Sequence, residues 1–282
     1  TKIEEIDLII ELIGGAEGAA KKLVFNALKN GKHVVTANKA LIAKYGDQLA
    51  KIAEKNKVNL EFEASVCGGV PIIRSLKEGL IANKISKIYG IFNGTSNYIL
   101  STMDKQNKSF GEVLSNAKKL GYAESNPSAD LNGDDVSSKL KILSSLCFNS
   151  FLNNNIYVEG INNIDKTDID NANKLGYKIK LLGFAELLNN KIYQRVHPTL
   201  IEKDSYVAGI DGVLNAVIVD GKPVGKSTIQ GEGAGAAATT SALVSDISSI
   251  SRGNIKFPFS LKSKERKKLK FENITDRFFS AY

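Results

Sequence analysis

An α/β region followed by an α+β region is the fold class that this 282-residue sequence predicts, and three observations carry it. Residues 1 to 64 alternate apolar strand-like runs with helix-period segments, the grammar of a parallel sheet wrapped by helices. Beyond Gly68 and Gly69 that alternation stops and strand-like runs come in groups, as a mostly antiparallel sheet requires. Asp220-Gly221, between two such runs, then reads as the two-residue turn of a hairpin.

Taken in order, the run from Ile6 to Ile13 is bounded by Gly14 and Gly15 and suits a strand buried on both faces. Ala20, Leu23, Val24, Ala27 and Leu28 recur at helical spacing until Asn30-Gly31 ends them, and His33 to Thr36 reads as the next strand. A helix through Leu49, Ile52 and Ala53 leads to the strand-like NLEFEASV, Asn59 to Val66. This succession predicts part of a Rossmann-like, doubly wound parallel sheet. Lys84 to Phe92 opens the second region as a strand. Ser109 and Glu112 form a capping box, after which Phe110, Val113, Leu114, Ala117 and Leu120 keep helical spacing as far as Gly121. Asp130 to Gly133 turns the chain into a helix whose buried stripe is Val136, Leu140, Leu143 and Cys147. Ile192 to Ile201 and Val213 to Val219 add strands, and a last helix, Ala236 to Ile250, follows the glycine-rich GEGAG.

Composition narrows the classes. A hydrophobic content of 43% is enough to build buried cores. Two cysteines, Cys67 and Cys147, are too few for a disulfide framework, and His33 and His197 lack metal-ligand spacing. The apolar runs are too short to span a membrane, and Thr1 opens no signal-peptide pattern, so the sequence reads as cytoplasmic. The net charge of +8 is concentrated in part in KSKERKKLK, Lys262 to Lys270, without interleaved aromatics, which reads as a solvated linker rather than a nucleic-acid surface. ENITDRFFSAY then forms an aromatic, strand-like end.

The densest chemistry lies in Ala117 to Lys139, where Glu124, Asp130, Asp134 and Asp135 precede Lys139. Asp135 and Lys139 are four apart on a helix. By spacing alone this is either a surface salt bridge beside a solvated acidic loop or a site with a cationic ligand or an acid-base task. Lys39, after the strand-turn VVTAN, is either an ordinary lysine or a group at the carboxyl end of a strand, where ligands of open α/β sheets sit. Glu63 and the following CGGVP read as a strand-to-helix turn. Asp134 reads as a helix-start residue favourable to the dipole.

These stretches resemble the homoserine dehydrogenases. The resemblance is carried by A-x-x-x-G-Y-A from Ala117, N-P-x-x-D-L-x-G-x-D-x-x-x-K from Asn126 to Lys139, GKHVVTANKALIA, EFEASVCGGVPIIRSLKEGL, GIFNGTSNYIL and GEGAGAAATTSALVSDI, and it covers nearly the whole chain. It implies NAD(P)-dependent interconversion of L-homoserine and L-aspartate 4-semialdehyde, in the biosynthesis of threonine, methionine and isoleucine. The alternatives are the dehydrogenase half of an aspartate kinase fusion and a fragment that keeps only the binding fold. By resemblance Lys139 is the proton donor and acceptor, its pKa lowered by burial or by the nearby cation Lys39, which joins it in the active site. Glu124 and Asp135 would bind the substrate ammonium, and Asp130 would be a substrate-binding carboxylate, either on the substrate side or just behind it, that helps to hold Lys139. Thr36, Asn38, Lys39, Gly233 and Gly235 would lie against NAD or NADP. Glu63 with the backbone carbonyls of Val66, Gly68 and Val70 would hold a monovalent cation, sodium. The expected division is a partial nucleotide-binding region at 1–64, a substrate and dimerisation region at 65–230, a returning helix at 231–252 and a linker at 253–282. The G-x-G-x-x-G turn expected to open the first region is not in the sequence, so the chain is expected to begin mid-domain and to stop before a regulatory region. A homodimer or homotetramer acting on a small molecule, without nucleic acid or membrane, completes the expectation.

Overall fold

The structure is a computed structural model that describes residues 3–151, 156–266 and 270–271. Two sheets organise it. In the first, β1 (Leu8–Glu11), β2 (His33–Thr36) and β3 (Leu60–Glu61) pair in parallel in that order. They are joined by α1 (Gly18–Lys29) and α2 (Lys39–Asn56). Ala20, Val24, Ala27 and Leu28 form the buried face of α1, and Gly31 at φ +70° releases the chain from it. α2 begins where the Asn38 side chain accepts the Leu41 N–H at 3.0 Å.

A short helix, α3 (Ile72–Arg74), runs on into a π-turn at Ser75–Gly79 and leads to the second sheet. Its strands are β4 (Lys84–Ile91), β5 (Tyr157–Val158), β6 (Tyr177–Leu188), β7 (Lys191–Glu202), β8 (Leu214–Lys222), β9 (Gly225–Glu232) and β10 (Lys270–Phe271). They lie in the order β10-β7-β6-β4-β8-β9, with β5 beside β7, and are antiparallel except for β5 and β10. The helices of this region are α4 (Gly94–Gln106), α5 (Phe110–Lys119), α6 (Ser128–Leu131), α7 (Asp134–Cys147) and α8 (Lys166–Lys174). α9 (Ala236–Ser251) returns to pack against β2 and the turn after β3.

Two features bring the sheets together. α7 buries Val136, Leu140, Leu143 and Cys147 and packs against β4, β6 and β7 as well as against α2, so it joins both regions. The register sets Gly90 opposite Gly183. A Cβ on Gly183 would lie 2.6 Å from the Phe92 ring, and one on Gly90 would lie 2.0 Å from the Ala216 carbonyl oxygen. This close approach leaves room for the Phe92 ring alone, so the chain leaving β4 is fixed at Phe92 and Asn93.

Several expectations are corrected. β1 is not buried on both faces, since Ile10 is 44% exposed and Ile13, just beyond it, 62%. The strand-like 59–66 keeps only Leu60–Glu61, because Glu63–Ser65 closes into a 3-10 turn. Asp220 and Gly221 lie inside β8, paired with Lys226 and Gly225, and the turn falls at Pro223 and Val224. Leu120 is exposed rather than part of the α5 stripe. Helices α4 and α8 and strand β6 were not foreseen. β6 is joined to β7 by Asn189 and Asn190, both at positive φ, the conformation a tight hairpin turn favours. The proposed solvated linker starts instead as a clamp on α2: the Arg266 guanidinium meets Asp47 at 2.8 Å and Glu54 at 3.1 Å. The aromatic end at 272–282 lies outside the described residues. Among the described residues no helix is long and apolar enough to cross a membrane.

Candidate active site

The site is assembled from three chain segments that meet at the ends of their elements. Lys39 is the first residue of α2, Asp135 and Lys139 lie on one face of α7, and Phe92-Asn93 follow β4. Asp135 is buried and bridges both cations: its Oδ1 lies 2.9 Å from Lys39 Nζ and its Oδ2 lies 2.7 Å from Lys139 Nζ. Lys139 Nζ also donates to the Phe92 carbonyl at 2.6 Å. Asn93 Nδ2 donates to Asp135 Oδ2 at 2.9 Å and to Asp130 Oδ1 at 2.7 Å, while its Oδ1 accepts the Ser96 N–H and caps α4.

The electrostatics follow from this geometry. Burial works to raise the Asp135 carboxyl, but Lys139, Lys39 and Asn93 outweigh it and hold the group well below the usual carboxylate range. Burial works to lower Lys139, yet Asp135 prevails and raises it. The expected lowering of Lys139 by Lys39 is therefore not what the structure shows, because Asp135 stands between the two lysines. Asp130 is shifted upward, mainly by burial, with the Asn93 amide pulling it down. Cys67 is buried beside Lys139, and burial pushes its thiol up. Glu124 is exposed and makes no hydrogen bond or ion pair among the described residues. Its loop is tied nearby through Thr95 Oγ1, which donates to the Tyr122 carbonyl at 2.7 Å.

A second cluster lies at the carboxyl ends of β1 and β2. Glu11, fully buried, accepts from Ile13 N at 2.8 Å, from Gly14 N at 3.0 Å and from Thr36 Oγ1 at 2.6 Å. Thr36 in turn accepts the Asn38 N–H, and Asn38 Nδ2 donates to the Gly15 carbonyl at 2.8 Å. The side chains of Thr36 and Asn38 are thus engaged in tying two loops together. What they leave open to a ligand is backbone, since nothing lies within 4 Å of a Cβ built on Gly14, Gly15 or Gly235. Gly233 faces the loop after Glu63: a Cβ on Gly68 would lie 3.4 Å from the Gly233 carbonyl oxygen, and Gly69 N donates to Glu232 O at 2.8 Å. Gly235 is the cap residue before α9 and makes no side-chain cap, so the first N–H groups of the helix have no side-chain acceptor from it.

Glu63 is buried, and its two carboxylate oxygens accept the N–H groups of Ile73 and Arg74 at 2.9 and 2.7 Å. These bonds only partly offset burial, which pushes its carboxyl up to about 7. Among the described residues the carbonyls of Val66 and Gly68 accept no hydrogen bond, whereas that of Val70 takes the Ile72 N–H. Burial likewise pushes Asp246, which accepts the Glu63 N–H, up to about 6.

Sequence reasoning picked out Lys39, Asp130, Asp135 and Lys139, which the fold brings together, and Glu124, which is exposed and joins none of their contacts. It missed Asn93 and Glu11. The signals were present: an asparagine followed by glycine directly after a strand, and an acid inside the apolar run before Gly14.

Comparison with known proteins agrees along the chain. The family model for homoserine dehydrogenase matches residues 71–248, and that for the homoserine dehydrogenase NAD-binding domain matches residues 1–63. A homoserine dehydrogenase of Neisseria gonorrhoeae is 48% identical over 250 residues, which are 88% of this chain and 57% of that protein. One of Pseudomonas aeruginosa is 46% identical over 249 residues, with the same coverage. The solved homoserine dehydrogenase of Thiobacillus denitrificans superposes with a TM-score of 0.91 at 44% identity, covering 95% of this chain and 64% of that one. A hyperthermophilic archaeal homoserine dehydrogenase in complex with NADPH gives a TM-score of 0.77 at 27% identity, covering 89% and 73%. The chain thus spans somewhat more than half the length of the curated relatives it matches.

The Glu63 geometry has a pH consequence. The group gains a proton more readily folded (about 7) than unfolded (4.5), so its favourable contribution is complete at low pH and is lost as pH rises from about 4.5 to about 7. Relative to Glu63→Gln, the stability of the parent should fall across that window by on the order of 3 kcal/mol and level off above it. Urea denaturation of both proteins from pH 4.5 to 8 in sodium-free buffer measures this, and a constant difference would contradict it.

Proposed function

The chain belongs to the homoserine dehydrogenase family, and from that membership we propose that it forms the catalytic part of an enzyme interconverting L-homoserine and L-aspartate 4-semialdehyde with NAD or NADP. The observation that carries this reading is the Lys39-Asp135-Lys139 triad, with Asp135 and Lys139 buried, Lys39 partly exposed and Lys139 set against the Phe92 carbonyl. The nicotinamide, when bound, accepts or supplies the hydride at the substrate carbon.

The chain's own residues supply the rest. Lys139 is held as an ammonium by Asp135, so it is ready to give a proton to the aldehyde oxygen as that oxygen becomes a hydroxyl. In the reverse direction Lys139, once its own proton has passed to solvent, takes the hydroxyl proton. Asp135 keeps both lysines in place, and Lys39, the more exposed of the two, is the one a substrate can reach from solvent. Glu124, which is exposed, complements the substrate ammonium, and Asp130, joined to Asp135 through the Asn93 amide, adds a carboxylate on the substrate side. Gly14, Gly15 and Gly235 offer backbone that a dinucleotide can approach closely, with the amino end of α9 favourable to its phosphates, whereas Gly233 is packed against the Asn215 side chain and serves by giving that residue room. Thr36 and Asn38 serve that surface indirectly, by joining the two loops. The buried Glu63 carboxylate and the carbonyls of Val66 and Gly68, with that of Val70, make a hard-oxygen set suited to sodium. This reading implies a cytoplasmic homodimer or homotetramer.

In the full-length enzyme, Lys139→Ala should lower kcat by about two to four orders of magnitude, the scale of a lost general acid-base, with cofactor KM little changed. A defect confined to cofactor binding would refute the role. Glu124→Gln should act on homoserine KM, raising it several-fold or more, because it keeps the side chain's shape but removes the charge that meets the ammonium. An unchanged KM with a collapsed kcat would place Glu124 in proton transfer instead. Exchanging sodium for choline at pH 8 should lower the melting temperature of the parent and leave Glu63→Gln unaffected. Equal melting temperatures of the parent in the two salts would count against the cation site.

A further inference from the structure

We propose that Asn93 is a positioning residue whose carboxamide fixes Asp130 and Asp135 at one spacing beside Lys139. The inference rests on the homoserine dehydrogenase reading. Asn93 is buried, and every hydrogen-bonding group of its side chain is used: one oxygen toward the Ser96 N–H and two N–H donors, one for each carboxylate. The orientation has no alternative. A flipped amide would set its oxygen against two carboxylates and its NH2 against the Ser96 N–H, leaving every contact repulsive. The cap of α4 therefore dictates where the two donors point, and the donors dictate where the acids lie.

The acids need such a device because they are close enough to repel each other. Asp130 is faced by Asp135 and Lys139 from α7, by the Thr95 hydroxyl from α4 and by Asn93 itself, with Lys39 from α2 held beyond Asp135. Asp135 has two cations, whereas Asp130 has the Asn93 amide as its first favourable partner against burial. Loss of that amide leaves Asp130 to rise further and to take up a proton from solvent at higher pH than in the parent. The acidic limb of the catalytic pH profile then moves to higher pH.

Serine separates capping from bridging, because it caps a helix as well as asparagine but is too short and has no NH2 to bind both acids. Asn93→Asp also caps, and it adds a third acid. In the full-length enzyme, Asn93→Ser should melt close to the parent yet lose about ten-fold in kcat. The acidic limb of its kcat/KM profile should move up by about one pH unit, the size of one charge-assisted hydrogen bond. Asn93→Asp should move it further in the same direction. A parent-like profile in both variants, or a lowered melting temperature with the profile unmoved, would overturn the inference and leave a cap alone. Carbon-detected NMR titration of the Asp130 carboxyl decides the point independently of turnover: an upward shift in Asn93→Ser sustains the inference, and an unmoved titration overturns it. A parent without homoserine oxidation would defeat the functional reading, and the titration would still give its answer on Asn93.

Discussion

One carboxylate held between two ammonium groups sets the terms for the rest of this molecule. Asp135 is buried, and an isolated charge there would cost several kcal/mol. Its ionisation is sustained chiefly because Lys139 reaches it from one helical turn along α7 and Lys39 reaches it from the start of α2, with the Asn93 amide beside them. Those two helices come from different regions of the chain, so they must pack together for the charges to balance. The glycine pair under Phe92 and the clamp of Arg266 on α2 are best understood as what keeps that meeting point from drifting.

Glu63 shows the opposite solution to the same problem. Both acids are buried, but Glu63 has two backbone N–H groups where Asp135 has two lysines and an amide. Partial dipoles offset desolvation less than full charges do, and the two carboxyls consequently move in opposite directions from their ordinary values. Position in the fold, more than residue type, decides which acid stays charged.

What the sequence revealed of this arrangement was the part written in local spacing. The Asp135-Lys139 pair is an i,i+4 relation, the Ser109-Glu112 capping box is local, and α1 and β2 follow from periodicity and glycine. The link from Lys39 to Asp135 exists only once α2 and α7 pack, and the bridging role of Asn93 only once β4 delivers it to α6 and α7. Strand β6 was hidden because six consecutive residues, Lys180 to Ala185, are buried, which erases the alternation that marks a half-covered strand. The misplaced hairpin turn has a similar origin. Asp220-Gly221 carries good turn chemistry, but Val217 and Val219 and their pairing with β4 extend the strand past it.

The two arms of Asp135 differ in how much water they meet. The Lys39 side chain is 42% exposed and that of Lys139 is 11% exposed. Mobile ions screen a charge they can surround, over a Debye length of about 8 Å at physiological ionic strength, and they barely touch one enclosed by protein. Added salt therefore weakens the Lys39 arm more than the Lys139 arm, so ionic strength bears on the charged joint between α2 and α7 before it bears on the proton-bearing group.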